Sequence, residues 1–242
     1  MARVTEAHVE ARRNQIVDAA WACFARKGYH QTTMQDIATE AGLSAGAIYR
    51  YYPSKEAVLK AINDRSQEMS RAMVEWARSQ AQGPLGVLGV IGQAMYSIFN
   101  DPMFDAATRV NIEIWPEFIR NEELAARLRQ EFTFWRTVVS QLLREAQERG
   151  EVRAGVDPEA VSILLICAWE GLRNLRLVDR ESFTIERQLA AILALLSVDM
   201  KIETDKFAKF VASQGPSLGL PLTMRSPQSS SGAKNEDGDV RP

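Results

Sequence analysis

Apolar residues recur along this chain at the three-and-four spacing of a helix face. Ile16, Ala20, Cys23 and Phe24 fall at i, i+4, i+7 and i+8, and Lys27-Gly28 supplies a basic last turn and a glycine stop. The pattern predicts short helices from Thr33 to about Ala41 and over Ala45–Tyr51, then longer ones at Ser54–Gln80, Pro84–Asn100, Met103–Ile119, Glu122–Arg149, Pro158–Leu177 and Thr184–Val211. Pro84 and Pro158 suit a first helical turn, where a missing N–H costs nothing, and Gly150 follows Arg149 as a stop. No sustained two-residue alternation appears, and no Asn-Gly or Asp-Gly turn joins β-branched runs. The fold class expected is all-α.

The periodicity fails near the end. From Ser213 to Pro242, 14 residues are Gly, Pro or Ser and none is aromatic, so nothing there offsets the entropy of ordering. The organisation expected is a helix-turn-helix module over 1–55, a larger helical body over 56–212 and a disordered tail over 213–242.

The most informative stretch runs from Thr32 to Lys60. Thr33 with Asp36 three residues on has the form of a capping box, Gly42 suits a left-handed helix exit, and Ser44 is a good N-cap for the second short helix. Pro53 stops that helix and Ser54 caps the next. Two short helices joined by a glycine-containing turn give helix-turn-helix geometry, with Ile37, Ala38, Ala41, Leu43 and Ile48 as its apolar seam. Ser44, Ala45, Gly46 and Ala47 are small, so the start of the second helix can enter a major groove. Tyr49, Arg50, Tyr51 and Tyr52 follow, offering phenolic donors to phosphate and a guanidinium to guanine edges. Lys55 puts a cation in the first turn of the next helix, a local dipole cost that a nearby phosphate would explain. A three-helix cap with surface tyrosines and a solvated lysine is the plainer alternative.

The run Gly28-Tyr29, Thr33-Met34, Asp36-Ile37-Ala38, Ala41-Gly42-Leu43-Ser44, Gly46, Ile48-Tyr49, Tyr51-Tyr52, Ser54-Lys55-Glu56 and Val58-Leu59 resembles the DNA-binding signature of TetR-family transcriptional regulators. The likeness covers roughly residues 12–60, the rest matching only in helical layout. It implies a homodimeric, ligand-responsive and usually repressing regulator of double-stranded operator DNA. By the same resemblance Thr33, Ser44, Tyr49, Tyr51 and Lys55 hold phosphates, while Ala45, Gly46 and Arg50 approach bases. Tyr52 stands where that family carries a buried Phe, and its hydroxyl is expected to find a partner at the edge. Arg3, Arg12 and Arg13 either add phosphate or minor-groove contacts or form a solvated arm.

In the body, Asp157–Leu177 is apolar on almost every face until Glu170, and a helix apolar all round is expected to be buried all round. With the similar Leu189–Val198 it suggests a four-helix contact between two copies, a deep monomer core being the alternative. Met73, Trp76, Met95, Phe99, Trp115, Phe118, Phe132, Trp135 and Trp169 either fill a core or line an adaptable pocket for an apolar or amphipathic effector. Arg109, Glu113, Glu170 and Arg173 lie beside those helices as exposed ion pairs or as a ligand's polar anchor.

Other classes lack support. Two histidines, His8 and His30, make no multi-histidine metal site, and two cysteines 144 positions apart make no disulfide framework. No phosphate loop or nucleophile motif is present, so no catalysis, metal or cofactor is expected. Apolar runs are too short for a membrane span and the first residues have no signal-peptide core, so a cytoplasmic protein is expected. A net charge of −2 reads at first against nucleic acid. Divided by region it becomes +2 over residues 1–65, −4 over 66–212 and zero over 213–242, leaving the acidity in the body.

Overall fold

The computed structural model describes residues 6–181, 184–188 and 191. The helix expected over Thr184–Val211, its Leu189–Val198 segment and the tail fall largely or wholly outside them, as does Arg3. Eight helices have both ends among the described residues: α1 (Glu6–Lys27), α2 (Met34–Glu40), α3 (Ala45–Ile48), α4 (Lys55–Gln80), α5 (Pro84–Phe99), α6 (Phe104–Arg120), α7 (Glu122–Glu148) and α8 (Pro158–Val178), and residues 185–188 are helical as well. No strand occurs among the described residues.

Local chemistry sets most boundaries. Thr33 and Asp36 form the expected capping box, Ser44 accepts from Ala47 N, and Ser54 accepts from Ala57 N. Asn121 and Asp157 cap α7 and α8 in the same way. Gly28 and Gly42 leave α1 and α2 at φ 82° and 62°, a region costly for any other residue type. One boundary differs from expectation: α3 is a single turn ending at Ile48, not at Tyr51, and residues 49–51 continue as turns.

The largest core joins the first four helices to α6. Ile16, Phe24, Ile37, Ile48, Val58 and Leu59 are buried together with Phe104, Val110, Ile114 and Phe118. Each large side chain of this kind contributes roughly 1.5–3 kcal/mol on burial, so the head and α6 are held firmly. A second cluster, with Val74, Ala77, Val87, Ile91, Val138 and Leu142, packs α4, α5 and α7. Val139, Leu143 and Ala146 of α7 form a third, with Val161 and Leu165 of α8 against them.

α8 departs from its sequence expectation. Only Ser162 of the helix is fully buried, while Ile163, Leu164, Leu175 and Val178 are exposed, Leu164 at 66% and Val178 at 83%. Among the described residues, α6 and α7 cover only part of its apolar surface.

Candidate nucleic-acid interface and candidate ligand site

The expected reading residues divide by exposure. Ser44, Ala45, Gly46, Tyr49 and Arg50 are exposed, Tyr49 at 54%, whereas Ile48 beneath them is buried. Tyr51 is half-buried against the core, and Tyr52 is buried within it with Arg13, Glu10 and Arg65 around its phenol, whose pKa burial raises. A side chain at Gly46 would meet nothing within 4 Å. A helical glycine costs about 1 kcal/mol relative to alanine, and no packing within the chain requires it here.

Thr33 is committed locally. Its hydroxyl donates to Asp36 Oδ2 at 2.6 Å and accepts from Asp36 N at 3.1 Å, while Thr33 N donates to the same carboxylate at 2.8 Å. Lys27 Nζ lies 2.6 Å from that oxygen. Lys27 first, and then Thr33, hold the Asp36 carboxyl well below the usual range.

Lys55 has a role the sequence did not disclose. Its ammonium donates to the carbonyls of Tyr29 at 2.7 Å, Thr32 at 2.9 Å and His30 at 3.3 Å, and lies 4.3 Å from the centre of the Tyr29 ring. The dipole cost inferred for this cation is therefore met by carbonyls inside the chain, and burial lowers its pKa. Burial also pushes the Tyr29 phenol up to about 12, with Glu117 and Glu56 adding to the effect.

Two further residues hold the head, and sequence spacing gave no sign of their partners. Glu113 of α6 accepts from Tyr29 N at 2.6 Å, fastening the α1–α2 loop to the body. Gln15 donates to Ala41 O at 2.7 Å, closing the exit of α2 onto α1. Arg12 donates to Gln15, and Arg13 lies 4.0 Å from Glu10.

The pocket candidates separate into three groups. Met73 packs with Ala94, and Trp76, Met95 and Trp135 lie against them at the junction of α4, α5 and α7. There Glu131 Oε1 accepts from Ser70 Oγ at 2.7 Å and Trp135 Nε1 at 2.8 Å. Phe99, Phe104 and Trp169 form an aromatic cluster, with centroids 5.0–6.4 Å apart. Trp115, 40% exposed, faces Phe132 at 6.4 Å, and Phe118 is buried in the main core. Arg173 stands apart, paired with Glu170 at 2.5 Å; burial raises the pKa of the acid and lowers that of the base.

A cleft of about 340 Å³ opens elsewhere, where the ends of α5 and α8 meet residues 184–186. Phe99, Asn100, Arg176, Arg180, Thr184, Ile185 and Glu186 line it, and Tyr96 donates to Glu186 at 2.7 Å. Of the sequence-based candidates it includes Phe99. Among the described residues no group of acidic, histidine or cysteine side chains is placed to hold a metal ion. No described helix is long and apolar enough to cross a membrane.

Residues 16–62 match the family model described as bacterial regulatory proteins, tetR family, and residues 93–198 match that of the BetI-type transcriptional repressor C-terminal region. The HTH-type transcriptional regulator UidR of Escherichia coli K12 is 27% identical over 183 residues, covering 76% of this chain and 88% of UidR. The solved structure of Salmonella enterica GusR superposes with a TM-score of 0.62 at 26% identity, covering 81% of this chain and all of GusR. SmeT, repressor of a Stenotrophomonas maltophilia multidrug efflux pump, is similar in fold. Its triclosan complex has a TM-score of 0.62 at 23% identity, covering 76% of this chain and 91% of SmeT.

Proposed function

The chain belongs to the TetR family of bacterial regulatory proteins, and from that premise we propose that it is a cytoplasmic homodimeric repressor released from operator DNA by a small apolar or amphipathic molecule. The observation that carries the DNA reading is the exposed start of α3. Ser44, Ala45 and Gly46 leave the backbone open to close approach, and Gly46 has no internal reason to lack a side chain. Ser44, Tyr49 and Tyr51 donate to phosphates and Arg50 reads a base edge, while Thr33, whose N and Oγ both donate to Asp36, would have to exchange that partner to join them. Lys55 contributes by fixing the α1–α2 loop with all three of its N–H groups, and acts on phosphate only through its charge. The functional division falls between residues 1–55 and 56–212, with 213–242 as an appendage.

Dimerisation rests on the exposed apolar face of α8, which a second copy of the same helix would cover. Two heads then meet two half-sites one helical turn, or a multiple of it, apart. The effector occupies the interior of the body and shifts α4, which carries the head at its N-terminus, away from that spacing. The SmeT–triclosan complex offers a precedent of the same fold holding a small aromatic molecule. Nothing in this arrangement calls for catalysis.

Selection from random DNA with the full-length protein tests the DNA reading. An inverted repeat with half-sites about 34–36 Å apart, or a multiple, is expected, and failure to enrich any sequence would refute it. On the recovered site, Arg50→Ala should lose about 1–3 kcal/mol of discrimination at one position per half-site. Tyr49→Phe should weaken all sequences alike.

A further inference from the structure

Resting on the reading of the body as an effector domain, we infer that the junction of α4, α5 and α7 takes an organic cation, an amine or quaternary ammonium on an apolar body, with Glu131 as its counter-charge. Ser70 Oγ and Trp135 Nε1 both donate to Glu131 Oε1, so the carboxylate is held from α4 and from its own helix. Its other oxygen, Oε2, is buried and has no hydrogen-bond partner. Among the described residues no basic group pairs with Glu131. Arg127, one turn earlier on α7, is bonded to Asp64 and lies 3.7 Å from Glu123, its Nε being buried without a partner. Both donors on Glu131 are neutral: they orient the carboxylate and add no countercharge. A buried carboxyl oxygen without a partner is costly, and an occupant that interacts with it removes that cost.

The surroundings specify the rest of the ligand. Trp76 and Trp135 lie with Met73 and Met95 around Ala94, and the Phe134 ring is 5.4 Å from that of Trp135. Indole faces are the best cation–π partners, and thioethers adapt to irregular apolar shapes. A quaternary ammonium would sit against the rings, and a protonated amine would in addition donate to Oε2. Arg173 differs: its Nε is also buried without a hydrogen-bond partner, but Glu170 supplies its countercharge at 2.5 Å.

Calorimetric titration of the full-length protein with benzyltrimethylammonium, its uncharged isostere neopentylbenzene and the anionic 4-phenylbutyrate tests the inference. The cation should bind with a Kd below about 1 mM and at least about tenfold more tightly than the other two. Glu131→Gln keeps an acceptor for Ser70 and Trp135 but removes the charge, and should abolish the preference while the circular dichroism spectrum stays helical. Should that variant not fold, Trp76→Leu supplies the check through a several-fold loss of cation affinity. Equal binding of all three compounds, no binding of the cation by about 1 mM, or a preference untouched in the variant would overturn the proposal. The effector reading fails separately: the cation binds but leaves the selected operator bound. Release by the neutral or anionic compound alone would preserve the effector reading and sink the cation.

Discussion

A methyl group added at Gly28 would lie 2.5 Å from a carboxylate oxygen of Glu113, and the backbone there sits at φ +82°. Two costs coincide, one steric and one conformational. Gly28→Ala should therefore destabilise the protein by about 1–3 kcal/mol in urea unfolding. Adding Glu113→Ala should return part of that loss, because the clash disappears while the unfavourable φ remains; strictly additive losses would argue against the clash. Asp36 supports the head through charge. Its carboxyl is depressed in the folded state by Lys27 and Thr33, so the stability it supplies is complete above its ordinary value of 3.8 and is lost as pH falls. Parent and Asp36→Asn proteins should thus differ in thermal midpoint near neutrality, and the gap should narrow steadily below about pH 4. The partners at Thr33 were legible in the sequence because they lie three positions apart. Those of Lys55 and Glu113 lie 23 to 84 positions away, and no local pattern encodes them.

Helices were legible where caps and periodicity agreed, and less so where one of the two was read alone. Composition extended α3 to Tyr51, but the core needs only Ile48 from it, and Tyr49 points to solvent once that residue is buried. For α8 the apolar composition was plain, yet periodicity could not say whether the covering surface came from the same chain. The structure answers half of that: α7 and α6 cover part of the helix and leave Ile163, Leu164, Leu175 and Val178 outside. If a second copy covers them, Leu164→Glu buries a charge in an apolar contact without disturbing the α7 side. Its dimer dissociation constant should rise by at least about tenfold in sedimentation experiments, with helicity unchanged. Unchanged self-association would place the interface elsewhere.

At the scale of the molecule the fold class was legible, whereas the joint between head and body was not. The main core runs without a break from Ile16 and Phe24 through Leu59 to Val110 and Phe118, so the head is continuous with α6 as well as with α4. Any movement of α6 therefore acts on the α1–α2 loop through Glu113, 2.6 Å from Tyr29 N. Charge adds a second constraint. Residues 1–65 carry only +2, and the body is acidic. The proposed phosphate contacts rely on neutral donors, the hydroxyls of Ser44, Tyr49 and Tyr51, and neutral donors hold phosphate without displacing condensed cations. With Arg50 assigned to a base edge and the Lys55 ammonium donating to three carbonyls, the charge of these two residues offsets at most about two phosphates per head. With a slope near −0.9 per phosphate, the dimer should lose operator affinity with a log–log salt slope of about −2 to −4. Fluorescence anisotropy on the selected site between 50 and 200 mM salt measures it. A slope near −9, that of ten neutralised phosphates, would mean that further basic residues, Arg12 and Arg13 of α1 first among them, also touch the DNA.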